Sequence, residues 1–153
     1  ERLALNAVNL VNFLAQGDLA GAAVEARRFQ TMRQYLETES IAEHGASTLG
    51  SYLAGFVFER LGEGDRALRY YEEALAAGPL PSLAAPVARL ARHHAYRGPN
   101  LKRLLAQAAA NPRDPGGEIL VIVGLGRVPH KVPERMPVGA AVGLAGTFFS
   151  GNS

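Results

Sequence analysis

The stretch SYLAGFVFERLGEGDRALRYYEEALAAGP, residues 51–79, carries the clearest structural pattern in this chain. Both of its halves carry apolar residues at helical spacing, and the tetrapeptide Gly-Glu-Gly-Asp stands between them. Glycine interrupts a helix, and the aspartate that follows suits the capping position of the next one. The stretch therefore predicts two antiparallel helices joined by a tight turn, with Asp65 as the N-cap of the second helix.

Small and aromatic residues stand at fixed spacings in this stretch. They are Gly55, Phe58, Gly62, Ala67, Tyr71, Ala74 and Pro79. Small residues allow two helices to approach, aromatic rings fill the gap between them, glycine makes the turn and proline ends the unit. In these spacings the stretch resembles a tetratricopeptide repeat. Ser51 stands where such repeats usually carry a large aromatic residue, so we expect a looser opening of this unit.

Two further helix pairs are predicted on either side of this unit. The N-terminal segment ERLALNAVNLVNFLAQ and the segment from Leu19 past Tyr35 flank a Gly-Asp turn, in which Asp18 is placed to cap the second helix. Around that turn the repeat spacing is kept by Phe13, Gly17, Ala22 and Ala26. Residues 81–98 and 99–112 predict a third, less regular pair that closes the stack, with His94 at a helix interface.

The C-terminal part has a different pattern. Residues 119–123, ILVIV, are apolar throughout and predict a buried strand. The following Gly-Leu-Gly is not a dinucleotide-binding fingerprint, because Pro129 occupies the place of the third glycine. Pro129, Pro133 and Pro137 are four residues apart, which leaves amide donors along one edge of a second strand. We expect a two-stranded antiparallel hairpin; a solvated polyproline segment is the alternative.

Together these patterns predict a mainly α fold. It consists of antiparallel helical hairpins in a tetratricopeptide-like superhelix of about two to three repeats, with a small C-terminal β-hairpin. Residues 1–113 form the helical repeat region, and residues 114–153 form the hairpin and a tail packed on the helices as one compact domain. The chain has 153 residues, 48% of them hydrophobic and 20% charged, which suits a single globular domain.

Charge is distributed unevenly along the chain. Residues 1–80 contain seven Lys/Arg and eleven Asp/Glu, whereas residues 81–153 contain nine and three. The basic half is a candidate surface for anionic lipid or nucleic acid, carried by Arg89, Arg92, Arg97, Lys102 and Arg103. A solvated helical face is the preferred interpretation of these charges. Only Tyr96 is interleaved with them as an aromatic, so no specific nucleic acid is expected.

Residues for catalysis, metal binding or cofactor binding are not found in the sequence. There is no cysteine, the four histidines lack the spacing HExxH, and neither a GxSxG elbow nor a phosphate-binding loop occurs. The neighbouring carboxylates Glu72 and Glu73 are interpreted as part of a solvated helix face. The sequence therefore predicts that the protein is not an enzyme and holds neither a metal nor a cofactor.

A partner-binding surface is predicted on the first helix. Asn6, Asn9 and Asn12 follow one another at three-residue intervals and suggest a polar strip. The first helices of tetratricopeptide repeats usually line a groove that accepts peptides, so the resemblance implies that these asparagines contact another protein or peptide.

A second resemblance concerns the order of three segments along the chain. LVNFLAQGDLAGAAVEARR, SYLAGFVFERLGEGDRALRYYEEAL and GGEILVIVGLGRVPHKVPERMPVG occur in that order, as in a group of bacterial envelope lipoproteins with tetratricopeptide-like helices and a short C-terminal β region. This resemblance implies a scaffold or adaptor in the periplasm or at the outer membrane, with the cytoplasm as the alternative location. It also implies membrane association only through a lipidated N-terminus that precedes Glu1.

Overall fold

The computed structural model describes residues 2–39 and 44–110, which are mainly helical as predicted. Six α-helices occur within these residues, together with one 3-10 turn and no strand. The helices are α1 (Arg2–Ala15), α2 (Leu19–Thr38), α3 (His44–Arg60), α4 (Gly64–Leu75), α5 (Ala84–Ala91) and α6 (Pro99–Ala110); the 3-10 turn spans Pro81–Leu83. The predicted β-hairpin within 114–153 lies outside the described residues.

The hairpin of α1 and α2 forms around a glycine turn and a side-chain cap. Gly17 has a φ of +71°, a left-handed conformation that favours glycine. The backbone N–H of Gly21 donates to Asp18 Oδ1 at 2.8 Å, which confirms the predicted cap of α2. A Cβ atom at Gly21 would lie 2.6 Å from Phe13 Cδ1, so the missing side chain allows the aromatic ring to pack in the turn.

The hairpin of α3 and α4 depends on close packing of a glycine against an aromatic ring. Gly62 makes the turn with a φ of +78°. A Cβ atom at Gly55 would lie 2.5 Å from Cδ1 of Tyr71, so only glycine allows α3 to approach α4 this closely without displacing the ring. Phe58 is fully buried and stacks on Tyr70 with the ring centroids 5.4 Å apart.

The predicted capping role of Asp65 is wrong. Helix α4 begins at Gly64, and Glu63 occupies the N-cap without a side-chain hydrogen bond. Asp65 Oδ1 instead accepts the backbone N–H groups of Ala95 at 3.0 Å and Tyr96 at 2.9 Å. The hydrogen bond from the Tyr96 N–H is the largest of the interactions that lower the pKa of the Asp65 carboxyl, and the bond from Ala95 acts in the same direction. The aspartate therefore holds the segment after α5 rather than the start of its own helix.

The third helix pair is present, and polar contacts hold it to α4. Helix α5 ends at Ala91, so His94 lies beyond its C-terminus. The Arg97 side chain donates to the carbonyl of Ala91 and to those of His94 and Tyr96 in the segment that follows. Glu72 accepts the backbone N–H groups at the start of α6, from Asn100 to Oε1 and from Leu101 to Oε2, both at 2.9 Å. A helix from one pair thus caps a helix of the next.

The main hydrophobic core runs through all three helix pairs. Its fully buried members come from α1 to α6 and include Leu10, Leu53, Leu68, Val87 and Leu101. A smaller cluster of Leu3, Phe29 and Leu36 lies between α1 and α2. Each such side chain contributes about 1.5–3 kcal/mol when it is fully buried, so the core stabilises the three pairs together.

Candidate functional site

Large apolar side chains are exposed mainly on α1 and α2. Of the six that are exposed among the described residues, four lie on this hairpin: Leu5, Val8, Val24 and Tyr35. Val24 is 44% exposed and Tyr35 is 51% exposed. Apolar residues scattered singly over a surface need no explanation, but Val24 and Tyr35 line the same groove.

An open groove of about 670 Å³ runs between α1 and α2. It is lined by Asn6 of α1 and by Val24, Arg27, Arg28, Thr31 and Tyr35 of α2, with the half-buried Met32 beside them. The groove therefore combines an apolar lining with two exposed guanidinium groups.

Helix α2 lines most of this groove with side chains that lie outside its buried face. Its buried face packs through alanines and through Phe29 and Leu36. Val24, Thr31 and Tyr35 are spaced by seven and then four residues, which places them on one stripe of a helix with 3.6 residues per turn. This second stripe lies outside the core, and its side chains line the groove.

Hydrogen bonds and one ion pair join several of the polar residues beside the groove. Asn6 Nδ2 donates to Glu25 Oε1 at 2.5 Å, and Glu25 is only 2% exposed. Arg28 Nη1 lies 3.4 Å from Glu25 Oε2 and keeps most of its side chain in solvent. The hydroxyl of Thr31 donates to the carbonyl of Arg27 at 3.1 Å. Beside these contacts, the exposed apolar side chains and the two guanidinium groups face solvent.

The three predicted asparagines occupy different environments. Asn6 lines the groove, Asn9 is half-buried and Asn12 is exposed. Residues three apart on a helix differ by about 60° in direction, so the three side chains turn away from one stripe. The groove is instead built mostly from α2, and Val24 and Tyr35 were not predicted from the sequence. The signal in the sequence was that these two apolar residues stand eleven positions apart, which places both on the same face of α2, away from its buried face.

The predicted basic surface is reduced by internal contacts. Arg89 forms an ion pair with Glu59, which also accepts the Tyr71 hydroxyl at 2.6 Å. Arg97 is engaged by backbone carbonyls. The side chains of the remaining cations of the predicted set are exposed and have no hydrogen bond or ion pair with the residues that the structure describes. They are Arg92, Lys102 and Arg103.

The interpretation of Glu72 and Glu73 as a solvated face is wrong, because both side chains are half-buried and bonded. Glu73 Oε1 lies 2.7 Å from Arg33 Nη2 of α2, and the Ser51 hydroxyl of α3 donates to Glu73 Oε2 at 3.4 Å. Burial raises the pKa of the Glu73 carboxyl, and Arg33 opposes that rise. Ser51, expected to loosen the repeat, is buried in this contact of three helices.

Within residues 2–39 and 44–110 no three His, Asp or Glu side chains are grouped to hold a metal ion. No helix in the same residues is long and apolar enough to cross a membrane. The chain matches no protein-family model, and neither a curated protein nor a solved structure shows significant similarity to it.

Proposed function

We propose that this protein is a non-enzymatic interaction scaffold or adaptor whose partner binds in the groove between α1 and α2. The observation that carries the proposal is the exposure of Val24 and Tyr35 in a groove that two arginines border. Solvent-exposed apolar residues that are grouped in a concave site gain free energy when a partner covers them, at about 25 cal/mol per Å² of apolar area.

Two resemblances support this proposal. Tetratricopeptide repeats present pairs of helices for protein binding, and the spacing of Gly55, Phe58 and Tyr71 resembles theirs. The similarity to envelope lipoproteins supports a location in the bacterial periplasm or at the outer membrane. In that location the chain joins a partner protein to the membrane through an N-terminal lipid.

Binding of anionic lipid or nucleic acid is less well supported. Such binding depends on many exposed cations, and Arg89 and Arg97 are already bonded within the chain. The guanidinium carbon of Arg69 lies 4.6 Å from the ring centroid of Tyr96, so one face of this aromatic is occupied. Arg92, Lys102 and Arg103, the three cations without such contacts, form the alternative binding surface for anionic ligands in the test.

The test is affinity capture from the detergent-solubilised envelope of the source organism. The wild-type chain is compared with the groove variant Val24→Ser/Tyr35→Ser and with the matched surface variant Arg92→Ala/Arg103→Ala. All four residues are exposed, so these substitutions should leave the fold intact, which circular dichroism checks. Each captured sample is washed at low and at high salt and analysed for protein, lipid and nucleic acid.

We expect a defined protein that the wild type and the surface variant retain at high salt and that the groove variant loses. Apolar contacts in a shaped groove survive salt, whereas contacts to phosphate weaken steeply. Retention of the same protein by the groove variant would refute this site. Lipid or nucleic acid held only at low salt, and lost with the surface variant, would replace the proposal with the basic surface.

A further inference from the structure

We infer that the groove between α1 and α2 binds an amphipathic α-helix of a partner protein, about three turns long, with acidic side chains beside its apolar stripe. This inference rests on the proposed function, because it names the kind of partner that the same groove accepts. Three separate observations lead to it: the length of the exposed stripe on α2, the internally bonded backbones of α1 and α2, and the charges of two arginines.

The length of the partner follows from the stripe on α2. Val24, Thr31 and Tyr35 lie on one helix face and are spread over eleven residue-to-residue steps, from position 24 to position 35. A helix rises 1.5 Å per residue, so the stripe is about 16 Å long, which equals about three turns of a second helix. Apolar residues at positions i, i+3 or i+4, i+7 and i+11 of the partner would face it over that distance.

The helical form of the partner follows from the backbone of the groove. Both walls are α-helices, whose interior N–H and C=O groups are bonded within the helix and offer no edge for an added strand. An extended peptide would lose water from its own backbone without receiving replacement hydrogen bonds. A helix satisfies its backbone internally and packs its side-chain ridges between those of α1 and α2.

The side chains of the groove are also suited to apolar packing. The Thr31 hydroxyl is bonded to the Arg27 carbonyl, and the Asn6 amide is bonded to Glu25. Each of these bonds engages one donor within the chain, so covering that donor costs little. Tyr35 is half exposed and provides a large, rigid ring of the kind that contributes most at interfaces.

The acidic character of the partner follows from Arg27 and Arg28. Arg27 is exposed and has no ion pair with the described residues. The Nη1 atom of Arg28 lies 3.4 Å from Oε2 of the buried Glu25, which is its only ion pair among those residues. Carboxylates on the partner would complement both guanidinium groups. A second copy of this chain, joined by a two-fold axis, would bring four arginines together, and their repulsion disfavours self-association.

The test uses a display library of randomised peptides, each about 15 residues long, selected on the full chain. Peptides that also bind the variant Val24→Ser/Tyr35→Ser are removed. The selected peptides are labelled with fluorescein, and their affinity is measured by anisotropy at several salt concentrations. Circular dichroism of the peptide, free and bound, reports its conformation.

We expect selected peptides that become helical on binding and carry Asp or Glu beside an apolar stripe. The variant Arg27→Glu/Arg28→Glu should weaken their binding by about tenfold or more, and peptides with Lys in place of Glu should restore it. The matched variant Lys102→Glu/Arg103→Glu has the same charge change on α6 and should alter affinity by less than about twofold.

The inference is overturned if no peptide depends on Val24 and Tyr35, if the bound peptides are extended, or if basic peptides bind equally well. Its failure is distinguishable from that of the proposed function. Native capture that still depends on Val24 and Tyr35 would leave the scaffold proposal intact, whereas native capture that ignores them would remove both.

Discussion

Replacing Glu72 by alanine should release the start of α6 from α4. The two carboxylate oxygens accept the N–H groups of Asn100 and Leu101, each at 2.9 Å. A hydrogen bond to a charged group contributes about 1.5–3 kcal/mol, and removal of a helix cap costs about 0.5–2 kcal/mol. Water can reach part of a first helical turn and recover some of this loss. We therefore expect Glu72→Ala to lower the free energy of unfolding by about 2–3 kcal/mol.

Two comparisons make this prediction specific. Glu72→Gln keeps one acceptor oxygen but loses the charge, so its cost should be about 1 kcal/mol. Glu39→Ala removes an exposed carboxylate at the end of α2 and should change stability by less than about 0.5 kcal/mol. Urea unfolding measures the three values, and hydrogen exchange locates the effect. Faster exchange should be concentrated in α6; equal costs for Glu72→Ala and Glu39→Ala would show that Glu72 does not hold the start of this helix.

Two further predictions concern the contacts between helices. Gly55→Ala should destabilise the protein by about 1–3 kcal/mol, although alanine favours helix, because its Cβ would lie 2.5 Å from the Tyr71 ring; thermal unfolding that shows a gain in stability would contradict this. Burial raises the pKa of Glu73 above its value in the unfolded chain, so its contribution is present at low pH and is lost as pH rises through that pKa. The wild type should therefore gain stability relative to Glu73→Gln as pH falls from neutrality towards the ordinary glutamate pKa of 4.5, as measured by urea unfolding. Glu37→Gln removes a carboxylate that itself raises the Glu73 pKa and should make this pH dependence smaller, and a pH-independent difference for Glu73→Gln would count against the argument.

Local patterns predicted the helices and the turns of this protein. The spacing of apolar residues, the glycines at 17 and 62 and the cap at Asp18 act over a few residues, and the structure has helices and turns at those places. The packing of Gly55 against Tyr71 was also foreseeable, because a small residue and an aromatic at this spacing face one another across a helical hairpin. For the candidate site, the sequence analysis identified Asn6 but not the residues of α2.

Helical periodicity and turn chemistry are local properties, so most of the helical segments and their buried faces could be predicted from the sequence. Which polar groups meet depends on how the helices pack. Asp65 and Glu72 bind backbone N–H groups about 30 residues further along the chain, and no local pattern indicates those partners. The structure also decided that Val24 and Tyr35 stay exposed, because an apolar stripe is buried only where a neighbouring helix covers it.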